Sequence, residues 1–214
     1  MKNGLTELVF ILDCSGSMAG LEEDTVGGFN SMIRRQSGES GQALVSAVLF
    51  SHVSRVLYDR VPLDRIEPMT LDSYRVGGST ALLDAVGGAV HHIGNVHKYA
   101  RPEDVPQHTL FVIMTDGMEN ASRFYDKEKV TAMIERQTDR YGWEFIFLGA
   151  NMDAVQTAGS FGIRPERAVN FHSDSEGTRL NYQAVGEAIA SVRSSGIMNS
   201  KWRQAVDEDY ENRK

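Results

Sequence analysis

Asp13, Ser15 and Ser17 occupy alternate positions in Ile11-Leu12-Asp13-Cys14-Ser15-Gly16-Ser17, directly after the apolar run Leu8–Leu12. A second carboxylate, Asp116, follows another apolar run, Thr109–Thr115, and precedes Gly117. Between them lies the glycine-rich stretch Val76-Gly77-Gly78-Ser79-Thr80-Ala81, which sets Ser79 and Thr80 at the start of a helical pattern. Two carboxylates and several hydroxyls, with no histidine among them, make an all-oxygen donor set. Hard divalent cations take such ligands, magnesium first, with manganese or calcium fitting the same oxygens. Neutral hydroxyls leave the ion electrophilic, so a carboxylate from outside would be welcome at a remaining position.

The elements around these residues explain how they would meet. Leu8–Leu12, Leu44–Phe50, Thr109–Thr115 and Glu144–Leu148 are nearly unbroken apolar runs, as expected of strands buried on both faces. Ala168–Phe171 is a shorter candidate. Helical spacing of apolar residues predicts helices over Glu22–Gln36, Ala81–Tyr99, Lys127–Tyr141 and Asn181–Val192, and a weaker one over Met152–Ser160. Alternating strands and helices predict an α/β fold with a mostly parallel sheet covered on both sides. Only three residues separate Leu44–Phe50 from the alternating run Ser54–Val61, too few for a crossover helix. That pair is expected to be a hairpin with one antiparallel strand at the sheet edge. In such sheets, ligands bind beyond the carboxyl ends of the strands, near a switch in strand order. Asp13 and Asp116 both stand at such ends.

Alone, each piece has a plainer explanation: a serine turn, an Asp-Gly turn, a threonine helix cap. Their combination favours a metal site. The start of Asp13-x-Ser15-x-Ser17 resembles an EF-hand loop, but that loop needs glycine where Met18 stands and glutamate where Asp24 stands. The six histidines do not converge and read as surface or packing residues. Cys14, the lone cysteine, reads as a small buried hydrophobe.

Together, Asp13-x-Ser15-x-Ser17, Thr80 in its glycine-rich loop and Thr115-Asp116-Gly117 resemble the von Willebrand factor A domain and its metal-ion-dependent adhesion site. The resemblance covers about Thr6 to Val192 and all five motif positions. It implies a Rossmann-like three-layer α/β/α fold. It also implies direct metal ligation by the two serines, direct or water-mediated ligation by Thr80, and largely water-mediated roles for Asp13 and Asp116. A Glu or Asp of a partner protein would complete the shell. The expected partner rim is Met18, Gly78, Ser79, Met118 and Glu119. The chain is most similar to the small stand-alone bacterial members, and residues 1–196 would form the domain. Residues 197–214 would be a polar segment, either a short helix or a tail.

Two other functions compete with a non-catalytic binding module. One is a metal-dependent phosphatase or hydrolase using Asp13, since a first-strand aspartate beside magnesium resembles the nucleophile of haloacid-dehalogenase-type phosphatases. Those enzymes place a second aspartate two residues on as general acid, and Ser15 cannot take that role near neutral pH. The other is a domain that binds metal only for stability.

The 214 residues suffice for one sizeable α/β domain. A formal charge of −7 disfavours nucleic acid as a partner, because no basic stripe is available to displace counterions. One cysteine excludes an internal disulfide and a thiolate-rich zinc site. The first apolar run is too short to span a membrane and leads into Asp13 rather than a cleavage site, so a cytoplasmic protein is expected.

Overall fold

The computed structural model describes residues 1–213; Lys214, the end of the expected C-terminal segment, lies outside them. Six strands form one sheet: β1 (Lys2–Asp13), β2 (Gln42–Phe50), β3 (Ser54–Pro62), β4 (Pro106–Thr115), β5 (Glu144–Gly149) and β6 (Ala168–Asn170). The helices are α1 (Glu22–Gln36), α2 (Leu82–Tyr99), α3 (Lys127–Tyr141), α4 (Ala154–Gly159), α5 (Ser175–Ser195) and α6 (Gln204–Asn212). The strand order is β3-β2-β1-β4-β5-β6, parallel throughout except for β3, which runs antiparallel at the edge. This is the expected fold class, including the hairpin.

Strand alternation divides the core into two layers. Leu8, Phe10 and Leu12 of β1 and Leu110, Val112 and Met114 of β4 pack with α1, α5 and α6. Val9, Ile11, Phe111 and Ile113 face the other way, against α2, α3 and α4. Because both faces are covered, β1 and β4 must be apolar at successive positions, which is why the sequence shows unbroken runs there.

After β1 the chain adds β2 and β3 on one side, then crosses to place β4 on the other. Leu12 pairs with Met114 in the parallel register, so Asp13 and Thr115-Asp116 leave the sheet side by side. The crevice at this switch point is where the sequence argument places the ligand.

Several boundaries differ from expectation. β1 begins at Lys2, six residues before the apolar run, and carries a buried Glu7 that pairs with Arg60. α5 begins at Ser175 rather than Asn181, because the Asp174 carboxylate accepts from Gly177 N and caps the first turn. Residues after Gly196 include helix α6, and the indole of buried Trp202 donates to the Glu166 carbonyl at 3.2 Å. Among the described residues, no helix is long and apolar enough to cross a membrane.

Candidate metal centre

Three loops at the carboxyl edge of the sheet build the site. The first leaves β1 at Asp13, which is 1% exposed. Ser15 N donates to Asp13 Oδ1 at 2.7 Å, and a single 3-10 turn over Gly16–Met18 brings Ser17 back toward Ser15. Their hydroxyl oxygens are 3.1 Å apart. The second loop, residues 76–81, is sewn onto the first: Gly77 N donates to Cys14 O at 2.9 Å, and Gly16 N donates to Gly78 O at 2.9 Å. Gly78 has φ +83° and its α-carbon faces the His52 ring, so a side chain there would be both strained and blocked.

The third loop follows β4. Asp116 Oδ1 accepts a short hydrogen bond from Ser17 Oγ, and Oδ2 accepts from Ser173 Oγ at 3.0 Å. Asn120 ties this loop to the second, since its Oδ1 accepts from Thr80 N at 2.9 Å while its own N–H donates to Thr80 O at 3.0 Å. Asp13, Ser15, Ser17, Thr80 and Asp116 are thereby drawn to one place.

The donors converge around a point beside Gly117. A β-carbon added there would lie 2.9 Å from Thr80 Oγ1, 3.3 Å from Ser17 Oγ and 3.7 Å from Ser15 Oγ. Three neutral hydroxyls thus surround a space that glycine keeps open, with the Asp116 carboxylate bonded to one of them. These oxygen donors fit a hard divalent cation. Among the described residues no three His, Cys, Asp or Glu side chains gather at one point. Asp13 backs the set. Burial raises its pKa above the ordinary carboxylate value, opposed by hydrogen bonds from Thr115 and Ser15.

The expected rim is only partly at the rim. Gly78 and Ser79 are exposed beside Thr80, and Met118 is 70% exposed. Met18 is not a rim residue: it is 8% exposed and turns inward to a small cavity with Leu12, Thr25, Phe171 and Tyr182. Glu119 is also committed elsewhere. Its carboxylate accepts from Leu83 N, Ala121 N, Ser122 N and Ser122 Oγ at 2.8–2.9 Å, capping α2 from a neighbouring loop. The residue at the helix start is Ala81, and neither Ser79 nor Thr80 caps it. The lone thiol, Cys14, is buried and donates to Phe50 O at 3.2 Å. Among the histidines, His92 meets Asp59, His97 meets Glu7 and His172 stacks on Tyr210, while the His52 ring lies against Gly78 of the second loop.

Three contributors were given no role at the site from sequence, although Thr115 stands within the motif. Thr115 Oγ1 donates to Asp13 Oδ2 at 2.6 Å. Ser173 follows β6, so the same strand-end rule that selects Asp13 could have found it. Buried Tyr74 donates to the Asp13 carbonyl from a long loop, and nothing in the local sequence marks it.

No family model matches the chain, and no curated protein matches it either. Solved structures do match in fold. Proximal thread matrix protein 1 from the mussel byssus superposes with a TM-score of 0.60 at 14% identity, over 87% of this chain and 46% of that one. A von Willebrand factor type A protein from Catenulispora acidiphila gives 0.59 at 12% identity, over 87% and 42%. The ArnB paralog VWA2 from Sulfolobus acidocaldarius gives 0.50 at 19% identity, over 88% and 45%. This chain spans less than half the length of each of these neighbours. The sheet order, its antiparallel edge strand and these superpositions define a von Willebrand factor A fold. One structure of the mussel protein has zinc in its metal-ion-dependent adhesion site motif.

Proposed function

We propose that this protein is a non-catalytic, metal-dependent binding module. Ser15, Ser17 and Thr80 hold a divalent cation, and Asp13 and Asp116 anchor it largely through water. A Glu or Asp of a partner protein supplies the remaining ligand. The observation that carries this reading is the convergence of three hydroxyls and the Asp116 carboxylate on the space left by Gly117. A first shell rich in neutral oxygens leaves the bound cation short of negative charge, which favours capture of an outside carboxylate. Magnesium is the proposed ion on ligand hardness. The zinc in the mussel neighbour supports a divalent ion of some kind. A cytoplasmic setting belongs to the same reading.

The first test is a thermal melt in EDTA and then in about 10 mM magnesium. A dissociation constant near 1 mM gives about 1.4 kcal/mol of stabilisation by linkage. For a domain of this size that is a rise of roughly 3–6 °C. The rise should disappear in Asp116→Asn and in Ser17→Ala. No rise with magnesium, manganese, calcium or zinc would overturn the reading. A partner recovered in magnesium should be released by EDTA and should not bind Asp116→Asn.

A further inference from the structure

We infer that helix α6 braces the metal centre through Ser173, a positioning residue for Asp116; this rests on the metal-binding reading above. Three consecutive residues between β6 and α5 are gripped from two sides. The middle one, Ser173, donates to Asp116 Oδ2 at 3.0 Å, while Ser17 takes the other oxygen of the same carboxylate. The flanking two hold α6. The His172 ring stacks on Tyr210 with centroids 4.9 Å apart, and its Nε2 lies 3.3 Å from the Tyr210 carbonyl oxygen. Asp174 receives both terminal nitrogens of Arg213 while also capping α5.

The other end of α6 is fixed as well. Trp202 and Val206 are buried, and Arg203 donates to the Pro165 carbonyl at 2.8 Å. The helix therefore bridges the segment before β6 and the segment after it. Residues 172–174 are also held tightly on the first turn of α5, since a β-carbon at Gly177 would stand 2.1 Å from the His172 carbonyl oxygen. Moving α6 must move residues 172–174, and Ser173 then cannot keep Asp116 where Ser17 meets it. Coupling of this kind is reciprocal: docked α6 tightens the metal, and the metal tightens α6.

The test uses the full chain and magnesium as the probe. Binding is read from melting temperature against magnesium concentration, and α6 docking from amide hydrogen exchange. Ser173→Ala and Arg213→Glu should each weaken magnesium by about 3- to 10-fold. Arg213→Glu adds negative charge near a cation site, so Coulomb attraction alone would tighten binding. A loss therefore reports the positional route. The double variant should lose less than the product of the single losses, because both act on one path. Ser173→Thr should recover most of the affinity. Arg101→Glu makes the same charge change in a surface pair with Asp104, apart from the α6 contacts, and should leave binding unchanged. Magnesium should slow exchange in α6 of wild type and not of Ser173→Ala. Unaltered affinity in both variants, or α6 exchange indifferent to magnesium in a wild type that binds it, would overturn the brace alone. A wild type that binds no divalent ion would overturn the brace together with the metal reading.

Discussion

Gly117 and Thr80 are so placed that a β-carbon on the glycine would stand 2.9 Å from the threonine hydroxyl oxygen. The glycine is needed for the space it leaves, since its backbone is not among those with positive φ. Gly117→Ala should therefore fold, with the Thr80 side chain rotating away at a cost of about 1–3 kcal/mol. It should also lose the magnesium-induced rise in melting temperature, because the methyl group occupies the space between the donors. A variant that keeps the full rise would show that the cation sits elsewhere.

Thr115 lies behind the site rather than in it. Its hydroxyl donates to the buried Asp13 carboxylate at 2.6 Å and receives Gly117 N at 3.2 Å. Thr115→Val keeps the shape and removes the donor. A hydrogen bond to a charged group contributes about 1.5–3 kcal/mol. Urea unfolding at neutral pH should show a loss in that range, largest without metal. Little change would mean that solvent replaces the hydroxyl.

The sequence makes the middle of the sheet legible and its margins less so. β1, β2, β4 and β5 are readable because burial on two faces demands apolar residues in succession. The first half of β1 is not, because Lys2-Asn3-Gly4-Leu5-Thr6-Glu7 looks like a polar leader when read without Arg60. The start of α5 hides for a related reason: Ser175-Glu176-Gly177 carries no apolar stripe, and only the Asp174 cap announces it. At the site, Asp13 and Asp116 follow from the strand-end rule, while Ser15 and Ser17 are found by their alternate spacing and Thr80 by its glycine-rich loop at the start of a helix. Met18 misleads, since a methionine in a loop reads as exposed while the 3-10 turn folds it under Tyr182. Glu119 misleads too, because a carboxylate capping a helix from another loop leaves no local signature.

Glu7 and Arg60 form the ion pair that β3 is shaped to make. Glu7 is wholly buried in β1, and Arg60 Nη2 reaches its Oε2 at 2.9 Å across the intervening β2. Register shifts in the β2–β3 pairing accompany a left-handed Arg60 with φ +51°, whose N–H is taken up by Ser46 Oγ at 3.0 Å. Removing Arg60 leaves the buried Glu7 carboxylate with only the His97 ring, its Nε2 3.3 Å away, so the cost approaches that of a stranded buried charge, about 3–5 kcal/mol. Arg60→Ala should lose that much in denaturant unfolding. Glu7→Gln in the same chain should recover most of it, since the stranded charge is then gone. An equal loss in the double variant would instead assign the effect to the bulge geometry.

Cys14 sits between two residues of the proposed site yet should be chemically quiet. Burial, and secondarily the nearby Asp13 charge, push its thiol pKa up to about 11. At pH 8 only about 0.1% would be thiolate, the form that reacts. Its Sγ is also turned to the Phe50 carbonyl at 3.2 Å, away from the hydroxyl donors. Iodoacetamide at pH 8 should modify the native chain slowly and the urea-unfolded chain quickly. The native rate should climb with pH toward 11. It should also be indifferent to magnesium except through the smaller unfolded fraction. Stoichiometric alkylation of the folded protein within minutes at pH 8 would place the thiol at the surface of the site and make it a candidate contact for a partner.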